Sequence, residues 1–347
     1  MSNLTWKDSI PALKAMLSVA KRVLVVSHAN PDGDAVGASL GWLHYLKAAY
    51  PKAEVRVMFP NRFPDFFIWL DGAKSIMNYC EDKETSTEYL QSCDLIFCLD
   101  LNSLSRLEVL CDKVTSHTAP LVVIDHHLQP KEGFTLVFSD TSMSSTAEFV
   151  YRIVLELGGK PLLTKAAAEA LYVGLLTDTG SFSYSVNTPD TFRMAADMME
   201  LGVDKNLIAS RVYDSYSENR MRLLGYCLQR KMRIFHNYRA AFISLSRKEL
   251  EDFDFQVGDT EGFVNMPLAI KGIELSAFFT EAMDKTHIRV SLRSRGKNIS
   301  VDEIARARFN GGGHFNAAGG KFYRSLKECE IYFIRMLKTS PNFRKGK

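Results

Sequence analysis

Three features are scarce in this chain of 347 residues, and each absence excludes a class of protein. No uncharged apolar run reaches the length of about 18 residues that a membrane-spanning helix needs, so no membrane association is predicted. The six cysteines include no C-x-x-C pair, which favours reduced thiols over a disulfide framework. The first residues lack the basic and apolar regions of a signal peptide, and we therefore expect a cytoplasmic protein.

An excess of one charge is also missing. The chain has 43 Lys and Arg residues against 40 Asp and Glu residues, which gives a net charge of +3. This balance excludes a uniformly basic coat for long nucleic acid, but it is compatible with a local basic cleft. With 46% hydrophobic and 24% charged residues, the composition is that of a globular protein rather than a disordered or fibrous one.

The length predicts about two domains, since a domain commonly has roughly 150 residues. We expect a catalytic domain at 1–190, a helical linker at 191–235 and a smaller substrate-binding domain at 236–340. The segment 341–347 is expected to be a disordered tail. Within the linker, the stretch Ser217–Phe235 has apolar residues at helical spacing and is a candidate connecting helix.

Short apolar runs alternate with helix-like stretches in the first half of the chain. Because each run is apolar throughout, it fits a strand that is covered on both faces, as in a parallel sheet. We therefore predict an α/β protein: an N-terminal doubly wound, mainly parallel sheet, joined by the helical linker to a smaller α/β C-terminal domain. The predicted strands are 22–27, 54–59, 94–99 and 121–124, and the predicted helices are 35–49, 103–117, 145–157 and 164–177.

The pattern changes after Tyr238, where isolated strands are followed by two helices. Ser300 and Glu303 have the spacing of a capping box, which marks the start of one helix. The predicted strands of this region are 238–245, 273–281 and 286–294, and the predicted helices are 300–308 and 325–338.

Acidic and imidazole side chains follow the ends of three predicted strands and of one predicted helix. In an open parallel sheet, ligands bind beyond the carboxyl ends of the strands, so these groups are expected to meet there. Each also has an ordinary structural explanation, such as an N-cap for Asp34, a turn for Asp32 or a helix end for Asp178. The groups are His28, Asp32 and Asp34 after the first strand, Asp100 after the third, Asp125, His126 and His127 after the fourth, and Asp178 at the end of the helix.

Taken together, the structural explanations fail, because they place several carboxylates at one sheet edge with nothing to offset their mutual repulsion. Two divalent cations would balance the four charges of Asp32, Asp34, Asp100 and Asp178. Oxygen ligands with a few imidazoles suit Mn²⁺, with Mg²⁺ or Co²⁺ as alternatives. A pair of such ions activates water and neutralises a phosphoryl group, so the pattern indicates a phosphoesterase.

The order and spacing of these groups resemble the four motifs of the DHH phosphoesterase superfamily, which is named after the motif Asp125-His126-His127. The motifs span roughly residues 22–185. The resemblance implies that Asp100 bridges two manganese ions, that Asp125 orients the histidine ligands, and that His127 contacts the phosphate or acts as a brace. It also implies the two ligand sets, which are His28, Asp32 and Asp100 for one ion, and Asp34, Asp100, His126 and Asp178 for the other.

A glycine-rich segment in the second half, Phe309–Gly320, resembles the signature of the DHH-associated C-terminal domain. Glycines there would let the backbone approach a ligand and present amides to an anion, although a simple turn is the alternative. Ser144 and Ser145 precede a predicted helix and either contribute amides to a phosphate or only cap that helix. By the same resemblance the active site lies in a cleft between the domains, and its substrate-binding residues are Gly311, Gly312, Gly313, His314 and Arg293, the last as a phosphate fork.

The compact two-domain chain is most similar to the nanoRNases of this superfamily. That similarity implies hydrolysis of short single-stranded RNA or DNA to 5′-mononucleotides and of 3′-phosphoadenosine-5′-phosphate (pAp) to AMP. Cyclic-dinucleotide phosphodiesterases and exopolyphosphatases are the alternatives, and a non-enzymatic nucleotide sensor is disfavoured because every motif position is filled. A homodimer is compatible with an aromatic cluster, although packing into the core is the favoured interpretation of that cluster, which comprises Phe63, Phe66, Phe67, Ile68 and Trp69.

Overall fold

The computed structural model describes residues 5–128, 132–184, 186, 188–339 and 343. The chain divides into two compact units, Met1–Ser215 and Tyr216–Lys347. None of the helices in these described ranges has both the length and the apolar character needed to cross a membrane.

The first unit contains six parallel strands in the order β3-β2-β1-β4-β5-β6. The order reverses between β1 and β4, and this is where ligands bind in doubly wound sheets. The strands are β1 (Arg22–Ser27), β2 (Glu54–Phe59), β3 (Met77–Asn78), β4 (Leu95–Leu99), β5 (Leu121–Asp125) and β6 (Leu136–Ser139). The helices are α1 (Ile10–Val19), α2 (Gly33–Ala49), α3 (Lys83–Gln91), α4 (Cys111–Thr115), α5 (Thr146–Glu156), α6 (Lys165–Asp178), α7 (Pro189–Glu200) and α8 (Lys205–Tyr213).

Both faces of this sheet are covered. Successive residues of one strand enter different cores: Phe97 packs into the larger cluster and Cys98 into the smaller one. This explains why the strands are apolar throughout, as the sequence predicted. In the aromatic cluster, Phe67 is fully buried and Ile68 is 42% exposed. The other three members pack against the larger core, which supports the packing interpretation.

One predicted helix of the first unit, 103–117, is wrong in its form. A 3₁₀ helix spans Leu104–Leu110 and is followed by the short α4, with Glu108 at a φ of 46°. The buried residues Leu104, Leu107 and Leu110 recur every three positions, which is the period of a 3₁₀ helix rather than of an α-helix.

Four elements of the first unit were not predicted from the sequence, namely α1, α3, β3 and β6.

The second unit has a mixed six-stranded sheet in the order β11-β12-β10-β9-β8-β7, in which only β8 and β9 are parallel among the described pairs. A core that includes Phe242, Phe279 and Phe333 lies between the sheet and helix α12. The strands are β7 (Arg233–Phe235), β8 (Ala240–Leu245), β9 (Leu275–Glu281), β10 (Ile288–Ser294), β11 (Gly312–Gly313) and β12 (Ala317–Phe322). The helices are α9 (Glu218–Tyr226), α10 (Arg247–Asp252), α11 (Val301–Arg308) and α12 (Leu326–Thr339).

The segment predicted as a linker, 191–235, is shared between the two units. Met194 and Met198 of α7 are buried in the larger core of the first unit. Leu223 of α9 packs in a core of the second unit. A π-helical turn, Cys227–Lys231, continues α9 directly, so the helix covers most of the predicted Ser217–Phe235 and gives way to β7 at Arg233. Of the predicted tail, Phe343 is buried in the core of the second unit, whereas 341–342 and 344–347 lie outside the described residues.

Candidate metal centre

The first two carboxylates are carried by the start of α2. Asp32 is the N-cap of this helix, because its side chain accepts hydrogen bonds from the amides of Asp34 at 3.1 Å and Ala35 at 3.0 Å. The capping role considered for Asp34 therefore belongs to Asp32. Asp34 lies inside the first turn and is only 1% exposed.

Asp100 follows β4 in an unusual backbone conformation. Its φ is 58°, which is left-handed, and an aspartate in this region costs of order 1 kcal/mol or more. The surrounding structure holds it there: its amide donates to Ile124 O at 3.1 Å, and Arg106 Nη1 donates to its carbonyl at 3.0 Å. The conformation places a carboxylate that is 2% exposed among the other candidate ligands.

The first group of ligand atoms comes from His28, Asp32 and Asp100. His28 Nε2 lies 3.3 Å from Asp100 Oδ2 and 3.9 Å from Asp32 Oδ1. The other ring nitrogen, Nδ1, is 2.9 Å from Ala29 O, so Nε2 faces the carboxylates. Nε2 is buried and has no hydrogen bond of normal geometry to any described residue, which suits a nitrogen that coordinates a cation.

The second group is centred on His126. Its Nε2 lies 3.7 Å from Asp34 Oδ2, 3.8 Å from Asp100 Oδ1 and 3.5 Å from Asp178 Oδ2. Asp178 reaches this position from the C-terminal end of α6. Asp100 thus lies between the groups, with Oδ2 beside His28 and Oδ1 beside His126 and, at 3.6 Å, His127 Nδ1.

The crowding of charge shifts the pKa values of the carboxyl groups in different directions. Burial and the neighbouring carboxylates, that of Asp100 foremost, raise the pKa of Asp34 well above its ordinary value. Burial also raises the pKa of Asp178 to about 6, although His126 opposes the shift. Burial acts in the same direction on Asp100, but the surrounding imidazoles outweigh it and hold its pKa well below the usual range. The centre thus carries more negative charge than its own groups balance.

Asp125 contacts His127 twice. Its Oδ1 lies 2.7 Å from His127 Nδ1, and its Oδ2 accepts the His127 amide at 3.1 Å. The carboxylate is fully buried and therefore fixes the position of the ring. His127 Nε2 faces the guanidinium of Arg106, at 3.5 Å from Nη1.

The start of α5 carries donors that the sequence did not reveal. The amides of Thr146 and Ala147 donate to the two oxygens of Asp34, at 2.6 and 2.9 Å. The Thr146 hydroxyl donates to Asp100 Oδ1 at 3.0 Å. In the sequence, the serine pair marked the start of the helix, but nothing indicated that the amides at this start would bind the Asp34 carboxylate.

These contacts correct the phosphate role considered for the amides next to Ser144 and Ser145, because a carboxylate of the protein occupies them. Ser145 caps α5 by accepting the amide of Glu148 at 3.0 Å. The Ser144 hydroxyl donates to Glu148 Oε2 at 2.6 Å, and both serines are buried. The capping alternative is the one observed for Ser145.

In the second unit, the glycine-rich segment packs tightly against its own strand. A Cβ on Gly311 would lie 1.9 Å from Gly319 O, and one on Gly313, whose φ is 157°, would lie 2.5 Å from Ala317 O. Close backbone approach therefore explains these two glycines. A Cβ on Gly312 would be only 3.3 Å from Asp302 Oδ1, a milder contact.

Three amides of this segment donate to groups of the protein. Gly311 N donates to Ala305 O at 3.2 Å, Gly313 N to Asp302 Oδ1 at 2.7 Å and His314 N to Ala317 O at 2.7 Å. These three amides are therefore satisfied within the second unit. Arg293 is half-buried near the end of β10, and its Nη1 donates to Leu292 O at 3.0 Å.

Comparison with known proteins supports the predicted family. Residues 22–175 match the sequence model of the DHH family, N-terminal domain, and residues 238–334 match that of the DHHA1 domain. A Streptococcus mutans protein named "Probable bifunctional oligoribonuclease and PAP phosphatase NrnA" is 30% identical over 92% of this chain and 97% of its own length. The chain belongs to the DHH family. The predicted resemblance to DHH phosphoesterases is thereby confirmed.

Two further relatives of this DHH chain extend the comparison. A Bacillus subtilis protein named "Bifunctional oligoribonuclease and PAP phosphatase NrnA" is 29% identical over 88% of this chain and 91% of its own length. The crystal structure of an "exopolyphosphatase-related protein" from Bacteroides fragilis is 38% identical, with a TM-score of 0.88 over 97% of this chain and 98% of that one. The predicted α/β fold with two sheets is confirmed.

The DHH match includes all the candidate ligands except Asp178, which lies just beyond its last residue. The place of Asp178 in the centre depends on the 3.5 Å distance between its carboxylate and His126. The DHHA1 match includes Arg293 and the glycine-rich segment with His314.

Proposed function

We propose that this chain is a two-metal phosphoesterase that hydrolyses short oligoribonucleotides to 5′-mononucleotides and pAp to AMP. The main support is the Asp100 carboxylate, whose Oδ2 lies 3.3 Å from His28 Nε2 and whose Oδ1 lies 3.8 Å from His126 Nε2. The names of the Streptococcus and Bacillus relatives support the choice of substrates.

The donor set fits divalent cations. Each group combines one imidazole with carboxylate oxygens and contains no cysteine, which favours Mn²⁺ and is compatible with Mg²⁺ or Co²⁺. We propose His28, Asp32 and Asp100 as ligands of one ion. Asp34, His126 and Asp178, with Asp100, are the proposed ligands of the other. When bound, such ions supply a water of lowered pKa and offset the charge of a phosphoryl group.

The residues around the two groups orient the site. Asp125 holds the Nδ1 side of His127 in place, and we propose that the ring contacts a substrate phosphate or transfers a proton through Nε2. From the second unit, we propose that Arg293 binds a phosphate and His314 a nucleotide. We assign Gly311 and Gly313 to keeping this segment in shape. A cytoplasmic location and a homodimer remain predictions.

The experiment that tests this function compares three substrates. Protein stripped with a chelator and reloaded with Mn²⁺ is incubated with pAp, a two-nucleotide RNA and polyphosphate. We expect turnover of the first two, little of the third, and none before reloading. Failure to release AMP from pAp and mononucleotides from the RNA contradicts the proposal, and better reactivation by Zn²⁺ than by Mn²⁺ contradicts the choice of metal.

A second candidate is an exopolyphosphatase, because the Bacteroides fragilis protein that is 38% identical is described as related to such enzymes. A polyphosphatase needs no contact with a nucleobase. Faster hydrolysis of polyphosphate than of pAp in the same assay would favour this candidate.

A further inference from the structure

Thr146 contacts both carboxylates that lie at the middle of the metal centre. Its amide donates to Asp34 Oδ2 at 2.6 Å, and its hydroxyl donates to Asp100 Oδ1 at 3.0 Å. We infer that Thr146 is a positioning residue, whose hydroxyl orients Asp100 so that one carboxylate serves two cations. The inference depends on the two-metal function proposed above.

The backbone half of this contact fixes Asp34. The amide of Thr146 donates to one oxygen of the Asp34 carboxylate and the amide of Ala147 donates to the other, so the carboxylate cannot rotate without losing a hydrogen bond. Both amides belong to the first turn of α5, where a negative charge is stabilised by the helix dipole. In this position Asp34 Oδ2 is 3.7 Å from His126 Nε2.

The hydroxyl half sets the orientation of Asp100. A hydrogen bond to Oδ1 selects one rotation of the carboxylate, and this rotation directs Oδ2 towards His28 at 3.3 Å and Oδ1 towards His126 at 3.8 Å. Without the hydroxyl, Asp100 loses a hydrogen bond that fixes the rotation of its carboxylate, so the positions of both oxygens are less well defined. One hydroxyl is therefore coupled to both ion sites.

The start of α5 is itself held by a buried carboxylate, that of Glu148, which is 1% exposed. Glu148 Oε2 accepts from the Ser144 amide at 3.1 Å, the Ser144 hydroxyl at 2.6 Å and the Thr191 hydroxyl at 2.9 Å. The position of Thr146 is thus supported by hydrogen bonds within the protein, as preorganisation of the ligands requires.

Close packing of α6 against the start of α5 also restricts movement of Thr146 and Asp34. A Cβ on Gly174 of α6 would lie 2.6 Å from the Ala147 side chain and 2.9 Å from Asp34 Oδ1. Glycine at this position lets α6 lie directly against the start of α5 and against the Asp34 carboxylate. The contact between Thr146 and the two aspartates therefore has little freedom to adjust.

The test is a titration of chelator-stripped protein with Mn²⁺, in which isothermal titration calorimetry measures the affinity and the number of ions bound. Thr146→Val keeps the shape and the backbone amide but removes the hydroxyl, whereas Thr146→Ser keeps the hydroxyl. Changes to partners of metal ligands commonly weaken metal affinity about 10–100-fold. We expect two ions per chain in the unchanged protein, a loss of this size for both ions in Thr146→Val, and affinity close to that of the unchanged protein in Thr146→Ser.

A matched control removes a similar hydrogen bond elsewhere. The Ser244 hydroxyl donates to the buried Glu330 carboxylate at 2.6 Å in the second unit, so Ser244→Ala should leave Mn²⁺ affinity unchanged. Circular dichroism in the presence of chelator checks that each variant is folded. Thr146 is fully buried, so Thr146→Ala, whose side chain is smaller, is titrated in parallel and is expected to show the same loss of Mn²⁺ affinity.

The outcomes separate the two proposals. If the unchanged protein binds two ions and both hydroxyl-free variants bind them equally well, the role of Thr146 is contradicted and the two-metal function stands. If the unchanged protein takes up fewer than two ions, the two-metal centre itself is contradicted, and the role of Thr146 with it.

Discussion

The two motif-bearing regions of the molecule use their polar groups in opposite ways. At the strand ends of the first unit, carboxylates and imidazoles face one another, and the buried Nε2 of His28 has no hydrogen bond of normal geometry among the described residues. In the glycine-rich segment of the second unit, the amides of Gly311, Gly313 and His314 all donate to groups of their own unit. Mutually repelling charges require an external ligand, whereas internally satisfied amides are explained by packing.

The largest effect is expected at the shared carboxylate. Asp100→Asn keeps the size of the side chain but removes the charge that we assign to both ions. Turnover of pAp should therefore fall by at least about 10³-fold, which is more than the loss caused by replacing a residue that only contacts a metal ligand. Turnover and Mn²⁺ stoichiometry are measured together. Asp94→Asn is the matched control, because Asp94 lies at the opposite end of β4, where it accepts the amides of Lys21 and Arg22. Asp100→Asn with the turnover of Asp94→Asn would contradict the bridging role.

A histidine from each region gives the next comparison. His127→Ala should lower kcat by roughly 10²–10⁴-fold, the usual contribution of a general acid or base, with a smaller change in KM. His314→Ala should mainly raise KM for pAp, because we assign it to binding the nucleotide equally in the ground and transition states. Steady-state kinetics distinguish the two. The comparison fails if His314→Ala lowers kcat without changing KM.

If close packing explains the glycines, alanine substitutions at Gly311 and at Gly312 should differ in their effect on stability. A methyl group on Gly311 meets a backbone carbonyl, so Gly311→Ala should lower the free energy of unfolding by about 1–3 kcal/mol or more. Gly312→Ala should cost less, because its nearest contact is a side-chain oxygen at 3.3 Å. Thermal unfolding compares them, and equal melting temperatures would show that close approach is not the reason for Gly311.

The smallest effect is a pH dependence of the metal-free protein. Burial raises the pKa of Asp178 to about 6, from an ordinary value of 3.8, so the folded protein binds this proton more tightly than the unfolded chain. The folded state therefore gains stability as the pH falls from above 6 towards 4, and Asp34 acts in the same direction.

We expect a higher Tm in chelator at about pH 5 than at pH 7, and a smaller difference in Asp178→Asn. Bound Mn²⁺ should remove this trend, because the metal requires ionised ligands. A metal-free protein whose Tm rises between pH 5 and pH 7 would contradict the proposed charge crowding.

The sequence was informative where a structural signal is local. Uniformly apolar runs predicted four strands of the parallel sheet, and polar residues directly after them predicted which side chains meet. The donors to Asp34 could not be predicted, because they are backbone amides at a helix start more than 100 residues away along the chain. Backbone amides have no residue signature.

The remaining misses have similar causes. The strand β11 consists of two glycines, which no propensity would assign to a strand. The leucines at 104, 107 and 110 fit a helical pattern, but their spacing of three is that of a 3₁₀ helix. The use of Gly313 N by Asp302 depends on tertiary contacts of α11 that spacing cannot reveal.

The most direct test of the two-metal centre is a crystal structure of the Mn²⁺-loaded protein with anomalous scattering at the manganese edge. We expect two peaks about 3.5–4 Å apart, one beside His28 and the other beside His126, with one oxygen of Asp100 bound to each or one oxygen shared by both. A single peak, or two peaks that Asp100 does not contact, would contradict it.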